Sequence, residues 1–191
     1  MKKFTLSFTQ WAGSILLLAS KFFLGDYQEA WIVSAIGYVM IVLFNVLRNN
    51  YIILVTDVFL VISSTYGFFK MVNGKTEADL TQLDVLFIIL TAVALLISIK
   101  KQYRSYSKDS ENFDTKKFRF QVLATVCILP AFTLLSLRFS IGWIALLCAH
   151  FFLYKLFTHI GKSKAIVYLQ VISMGIAIYK IFTIFIPTVS F

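Results

Sequence analysis

The side chains able to do chemistry in this chain recur at intervals of four or seven residues inside long apolar stretches. Gln10, Ser14 and Lys21 form one such series, Ser34, Tyr38 and Asn45 a second, Asp57 and Ser64 a third. Gln121 and Thr125, then His150, Tyr154 and Phe157, then Gln170, Ser173 and Lys180 follow further along. On a helix of about 3.6 residues per turn these intervals bring side chains onto one face. Amides, hydroxyls and an imidazole of this kind can hold a small polar molecule through hydrogen bonds. They do not form a nucleophile–base pair or a metal-ligand set at one depth. The sequence has no HExxH, GxSxG, P-loop, di-acid or paired Cys–His motif. The chain is therefore not expected to be an enzyme, and no cofactor or metal is expected. Cys127 and Cys148 lack CxxC spacing and read as packing residues.

Asp57 is the sharpest single residue. An acid at the centre of a membrane helix costs about 2.5–3.5 kcal/mol on insertion scales, so it needs a partner or water. Counted from the start of its helix it lies roughly 10 Å deep at 1.5 Å per residue, and Gln170 reaches a similar depth in the last apolar stretch. One reading is a polar pair, Asp57 with Gln170, that binds solute hydroxyls or an amide. The other is a structural ion pair with Lys155, His159 or Lys164. His150, opposite Tyr38, reads either as a proton relay or ligand group or as a hydrogen-bonded structural histidine. Lys180 lies about 25 Å from the same face by the same rise, too far from Asp57 for a Schiff base and its counter-ion. It is expected to snorkel outward or to stand at the outer mouth of a path. The candidate binding residues are Gln10, Ser34, Tyr38, Asn45, Asp57, Gln121, His150 and Gln170.

The elements that position these residues must be membrane helices. The chain is 59% hydrophobic, 17% aromatic and 14% charged over 191 residues, which leaves no room for a soluble domain. A helix needs about 20 apolar residues to cross a core of roughly 30 Å, and it satisfies its own backbone there. Crossings are expected near 6–25, 30–47, 51–72, 84–99, 118–137, 139–159 and 164–187. The fold class is thus all-α, a polytopic membrane protein of seven transmembrane helices. Lys21, Phe22 and Phe23 stand where a signal-peptide cleavage site would fall, so the first helix is expected to remain as an anchor. Trp31 and Trp143, near segment ends, read as interfacial anchors; Pro130 should kink its helix.

The net charge of +9 does not point to nucleic acid, because the charges are sorted by side. Lys2, Lys3, Arg48, Lys100, Lys101, Arg104, Lys108, Lys116, Lys117, Arg119, Lys162 and Lys164 fall on one set of connections. Lys70, Lys75 and Arg138 fall on the other, with Asp26, Glu29, Glu77, Asp79 and Asp84. That asymmetry predicts a cytoplasmic N-terminus and an outer C-terminus. The basic loop over 100–118 is expected on the cytoplasmic side, either as a topology signal or as a surface for anionic lipid or a partner.

The first three apolar stretches are echoed by the last three at an offset of 111 to 113 residues. Gln10 matches Gln121, Ser14 matches Thr125, Trp31 matches Trp143, and Tyr66 matches Tyr179. A three-helix unit reverses direction across the membrane, and a single extra crossing restores it. The expected layout is therefore two parallel repeats, 6–72 and 118–187, joined by a linker helix at 84–99, which together make one membrane domain over 1–191. Paired repeats of this kind enclose a path with a site between them. Between Asp84 at its start and Ile99 at its end the linker carries only Thr91 and Ser98 as polar residues, so no polar stripe is expected on it; it is a candidate contact for a homo-oligomer.

The stretch from Trp31-Ile-Val-Ser through Asn49-Asn50-Tyr51 and Asp57-Val-Phe-Leu-Val-Ile to Tyr66-Gly67-Phe68-Phe69-Lys70 resembles the repeat unit of the bacterial nicotinamide riboside transporters (Pnu-type). Those proteins are similar in architecture to the sugar-transporting SWEET proteins. Trp143 and Tyr179-Lys180-Ile181-Phe182 keep the frame in the second half without the glycine. The resemblance implies passive uptake of nicotinamide riboside or a related nucleoside across the bacterial inner membrane, with a cytosolic kinase trapping the product. A sugar transporter and a non-transporting membrane protein that binds a partner are the alternatives. With Lys155 and Lys180 toward opposite ends, no basic group is expected at mid-membrane, and phosphorylated solutes are expected to be rejected.

Overall fold

A computed structural model of the chain describes residues 2–24, 26–74, 80–107, 114–162 and 164–185, with the backbone alone for 2–7 and 185. The side chains of Lys2 and Lys3, together with Lys75, Glu77, Asp79 and Lys108 of the charge pattern, lie outside the described residues. The described chain is all-α, with seven helices: α1 (Lys2–Phe23), α2 (Gln28–Leu47), α3 (Leu54–Val72), α4 (Gln82–Ser107), α5 (Thr115–Ser136), α6 (Gly142–His159) and α7 (Lys164–Phe185). Five of them, α2, α3, α4, α5 and α7, are long and apolar enough to cross a membrane. Helix α6 carries His150, Lys155 and His159, which lower its apolar content. Large apolar side chains stand exposed around the bundle, among them Ile36, Leu43, Ile62, Leu86, Leu96 and Phe182. Lipid, not water, suits such a surface, because soluble monomers do not expose continuous apolar belts. This is an integral membrane protein.

Helix boundaries follow local chemistry. After α2, Asn49 takes a left-handed φ of 55°, and the Asn50 N–H closes back to the Asn45 carbonyl at 2.8 Å. After α6, Gly161 does the same at φ 63°, with Lys162 bonding to the Phe157 carbonyl at 2.9 Å. These are the left-handed caps that satisfy the last carbonyls of a helix. Asp114 caps the start of α5 by accepting from the Lys117 N–H at 2.9 Å. Helix α5 continues through Pro130 to Ser136.

Neighbouring helices close into a ring. Helix α1 packs on α2, α2 on α3, α3 on α5, α5 on α6, α6 on α7, and α7 on α1. The α1–α2 seam is tight because glycines meet there. A Cβ on Gly37 would come within 2.9 Å of Leu17, and one on Gly13 within 3.0 Å of the Gly37 carbonyl. Small residues let membrane helices approach closely, where dispersion replaces a hydrophobic driving force.

Helix α4 packs on α3 and α5, and here two expectations change. It is longer than 84–99, running to Ser107, so most of the basic segment from 100 onward is helical. Gln102 donates to Thr125 at 2.8 Å and Tyr106 to Gln121 at 2.7 Å, which holds this extension on α5. The helix is also not bare. Asp84, Phe87, Thr91, Ala94, Ser98 and Gln102 form a buried stripe. Thr91 bonds to Thr133 at 2.8 Å, and Thr56 donates to Ser98 at 3.1 Å. Asp84, Thr91 and Ser98 already lie seven apart within 84–99, and Gln102 continues them; the seam escapes a sequence reading because Asp84 counts with the loop charges and Gln102 lies past the expected end.

Candidate functional site

The ring encloses a cavity of about 800 Å³ that runs from Arg48, Lys117 and Lys162, at the helix ends, inward to Lys21, Tyr38, His150 and Ser173. Seven of the eight candidate binding residues line it: Gln10, Tyr38, Asn45, Asp57, Gln121, His150 and Gln170. Ser34 does not. It is 1% exposed and bonds to Ser64 at 3.0 Å between α2 and α3, so it is a helix-packing contact. Its interval from Tyr38 is right for the face, but Ser34 lies one turn beyond the cavity's inner end.

Asp57 has a partner other than those expected. Asn45 Nδ2 donates to Asp57 Oδ2 at 2.7 Å, and Asn50 donates to Asn45 Oδ1 at 3.3 Å. Among the described residues no cation pairs with Asp57. Lys155 is on the exposed face of α6, with Nζ 5.5 Å from the Phe151 ring, and His159 pairs with Asp114 at 2.8 Å. The physical reason is rotational. His150, Leu153 and Phe157 turn inward at intervals of three, four and seven residues, which puts Lys155 outside. Gln170 does not pair with Asp57 either; its Oε1 lies 2.8 Å from His150 Nδ1.

Lys21, placed by the sequence on the polar face of α1 but left out of the candidate binding residues, also belongs to the site. It is 7% exposed and lines the inner end of the cavity, with Nζ 2.9 Å from His150 Nε2 and 3.1 Å from Ser173 Oγ. A basic group does stand at mid-bundle, so the expectation that none would be there is overturned. Its signal was present: it sits seven residues after Ser14, on the same polar face, inside an apolar run. With the Gln170 amide oriented so that its oxygen faces the ring, the matching tautomer of His150 donates from Nδ1 and accepts from Lys21 at Nε2.

The opposite end is closed. Tyr38 meets Phe132 edge-on at 5.2 Å, and Leu24, Trp31, Leu135 and Trp143 are buried beyond them. The tryptophans, 2% and 3% exposed, are therefore floor residues and not interfacial anchors. They face a second depression of about 350 Å³ that also contains Asp26, Arg138 and Lys180. Lys180 pairs with Asp26 across this second depression. Cys127 is half-buried, whereas Cys148 is exposed on the bundle surface and is not a core residue.

At the basic end, Asp114 both caps α5 and meets His159. The Lys117 N–H and the His159 ring hold its carboxyl below the ordinary value. A depressed carboxyl stabilises the fold fully above the ordinary carboxylate range, and the contribution is lost as the pH falls through the folded value. Amide-exchange protection over 115–119, corrected for intrinsic rates, is expected to drop across that window in the parent and to be low at every pH in Asp114→Ala. A pH-independent parent would refute the cap's role.

In comparisons with known proteins, no family model matches the chain, and no curated protein or solved structure is significantly similar to it.

Proposed function

We propose that this protein is a membrane transporter that facilitates passive uptake of a small polar solute through a path between two three-helix repeats. The observation that carries the reading is the composition of the cavity wall. Its residues fall into pairs separated by the repeat offset: Gln10 with Gln121, Ser14 with Thr125, Tyr38 with His150, and Asp57 with Gln170. Packing of α3 on α5 has its counterpart in packing of α7 on α1, which supports a two-fold relation between α1–α3 and α5–α7 with α4 as the link. In this reading all seven helices cross the bacterial inner membrane, the basic end is cytoplasmic, and the cavity opens inward. Repeats so related alternate access by rocking about the site. Passive transport rests on that geometry alone, since among the described residues no cation pairs with Asp57. Helix α4, with its apolar outer face, is the surface on which oligomers of this small bundle would form.

Nicotinamide riboside is the first solute to try, and sugars are the second. In liposomes the parent chain is expected to admit labelled nicotinamide riboside at a rate indifferent to a proton gradient. Asp57→Asn with Gln170→Ala should slow entry about tenfold or more, as the loss of one to two hydrogen bonds to a solute would. Flux that follows the gradient would overturn passive uptake. No flux for any of a panel of nucleosides and sugars would leave a partner-binding membrane protein as the better reading.

A further inference from the structure

Lys21 is the feature of the cavity that a neutral solute leaves unused. A charged side chain inside a membrane bundle is costly, and by default it marks a functional position or has a counter-charge. Among the described residues no carboxylate pairs with Lys21; its Nζ meets only neutral acceptors, His150 Nε2 and Ser173 Oγ. As an ammonium it has three N–H donors, of which these contacts use two. The third is left for whatever occupies the inner end of the cavity. Ser173 accepts from Lys21, so its own hydroxyl hydrogen is available to the same occupant. Gln170, turned by His150 so that its oxygen is engaged, keeps its amide N–H groups on the same wall.

We infer that the inner end of the cavity is a carboxylate-binding site in which Lys21 takes the negative group of the transported solute. The inference rests on the transporter reading and replaces its solute class, since nicotinamide riboside is a pyridinium cation and a sugar is neutral, and neither carries a carboxylate. One ammonium, with hydroxyl and amide donors around it, matches a single negative charge. A phosphate dianion would ask for more cations than this end holds. Leu17, Leu60 and Ile128 on the same wall suit an apolar body behind the carboxylate. An arriving carboxylate also holds Lys21 in its ammonium form, so solute and site stabilise each other.

The experiment is a binding titration of the full chain in lipid nanodiscs with nicotinate and with nicotinamide, which differ in a carboxylate against an amide. Nicotinate is expected to bind at least tenfold more tightly. Lys21→Met should abolish the preference, and Lys21→Arg should retain most of it while reporting that the bundle is intact. A preference that survives in Lys21→Met overturns the site, as does tighter binding of inorganic phosphate than of nicotinate. Absence of binding for nicotinate, benzoate and lactate alike overturns it too. The two readings fail separately: carboxylate binding without liposome flux sinks transport and spares the site, whereas flux of a neutral solute without carboxylate binding does the reverse.

Discussion

Replacing Asp84 by alanine is expected to destabilise the bundle by about 3 kcal/mol or more, the range for removing one partner of a buried ion pair. Asp84 is 1% exposed and Lys70 is 4% exposed, and their charged atoms are 2.8 Å apart at the α3–α4 seam. Tyr66 donates to the same carboxylate at 2.5 Å, and the Thr81 N–H and hydroxyl do so at 2.6 and 2.9 Å. Removing the carboxylate leaves the buried Lys70 ammonium without its counter-charge and the half-buried Tyr66 phenol without its acceptor. Most of the loss is thus the desolvation cost of what remains, not the worth of the pair. The double variant Lys70→Met with Asp84→Leu separates these, because it removes both charges and restores apolar packing; it should recover more than half of the loss. Denaturant unfolding in mixed micelles gives both values. A loss below about 1 kcal/mol for Asp84→Ala would place the pair among solvated surface bridges and refute its burial.

Gly67→Leu is the other large effect, and its cause is steric. A Cβ at position 67 would lie 2.6 to 2.8 Å from three carbons of the Trp31 ring. Trp31 is buried in the hydrophobic core and forms part of the floor between the two cavities, so the ring has nowhere to go. Overpacking of this kind costs about 1–3 kcal/mol and sometimes more, and leucine should reach the upper end. Gly67→Ala is expected to be milder but still destabilising. Trp31→Leu combined with Gly67→Ala should regain part of the loss, since the smaller side chain makes room. The control is Gly175→Ala on α7, where an added Cβ meets nothing within 4 Å. That change should be neutral or slightly stabilising, because alanine is the better helix former. If Gly175→Ala and Gly67→Ala prove equally mild, close packing of α2 on α3 through Trp31 would be disproved.

Much of the architecture could be read from the residues. The seven helices begin and end within a few residues of the apolar stretches, except that α4 extends eight residues past Ile99 into Lys100–Ser107. Hydropathy cannot see that extension, because Lys, Gln and Arg form helix as readily in water as Leu does in lipid. The polar stripes were also informative: Gln10, Ser14 and Lys21 do share one wall, as do Tyr38 and Asn45. Helical period fixes which residues stand on a common face. It gives no information on how far along the helix the cavity extends, which is why Ser34, on the same face as Tyr38, does not line it.

The set of helices, their apolar exteriors and the polar face of each thus follow from the residues segment by segment. Backbone self-satisfaction and a 3.6-residue period act within one segment and need no partner. Which faces meet is settled by packing between segments. Lys21 reaches His150 and Ser173 across 129 and 152 residues of sequence, and Asp57 turns to Asn45 instead of Lys155. Trp31 and Trp143, amphipathic and near segment ends, could have stood at the lipid interface; Gly67 opened the space that drew Trp31 inside. Such outcomes depend on the rotation and depth of each helix against its neighbours. Those two quantities are set by close packing, to which every helix in the ring contributes.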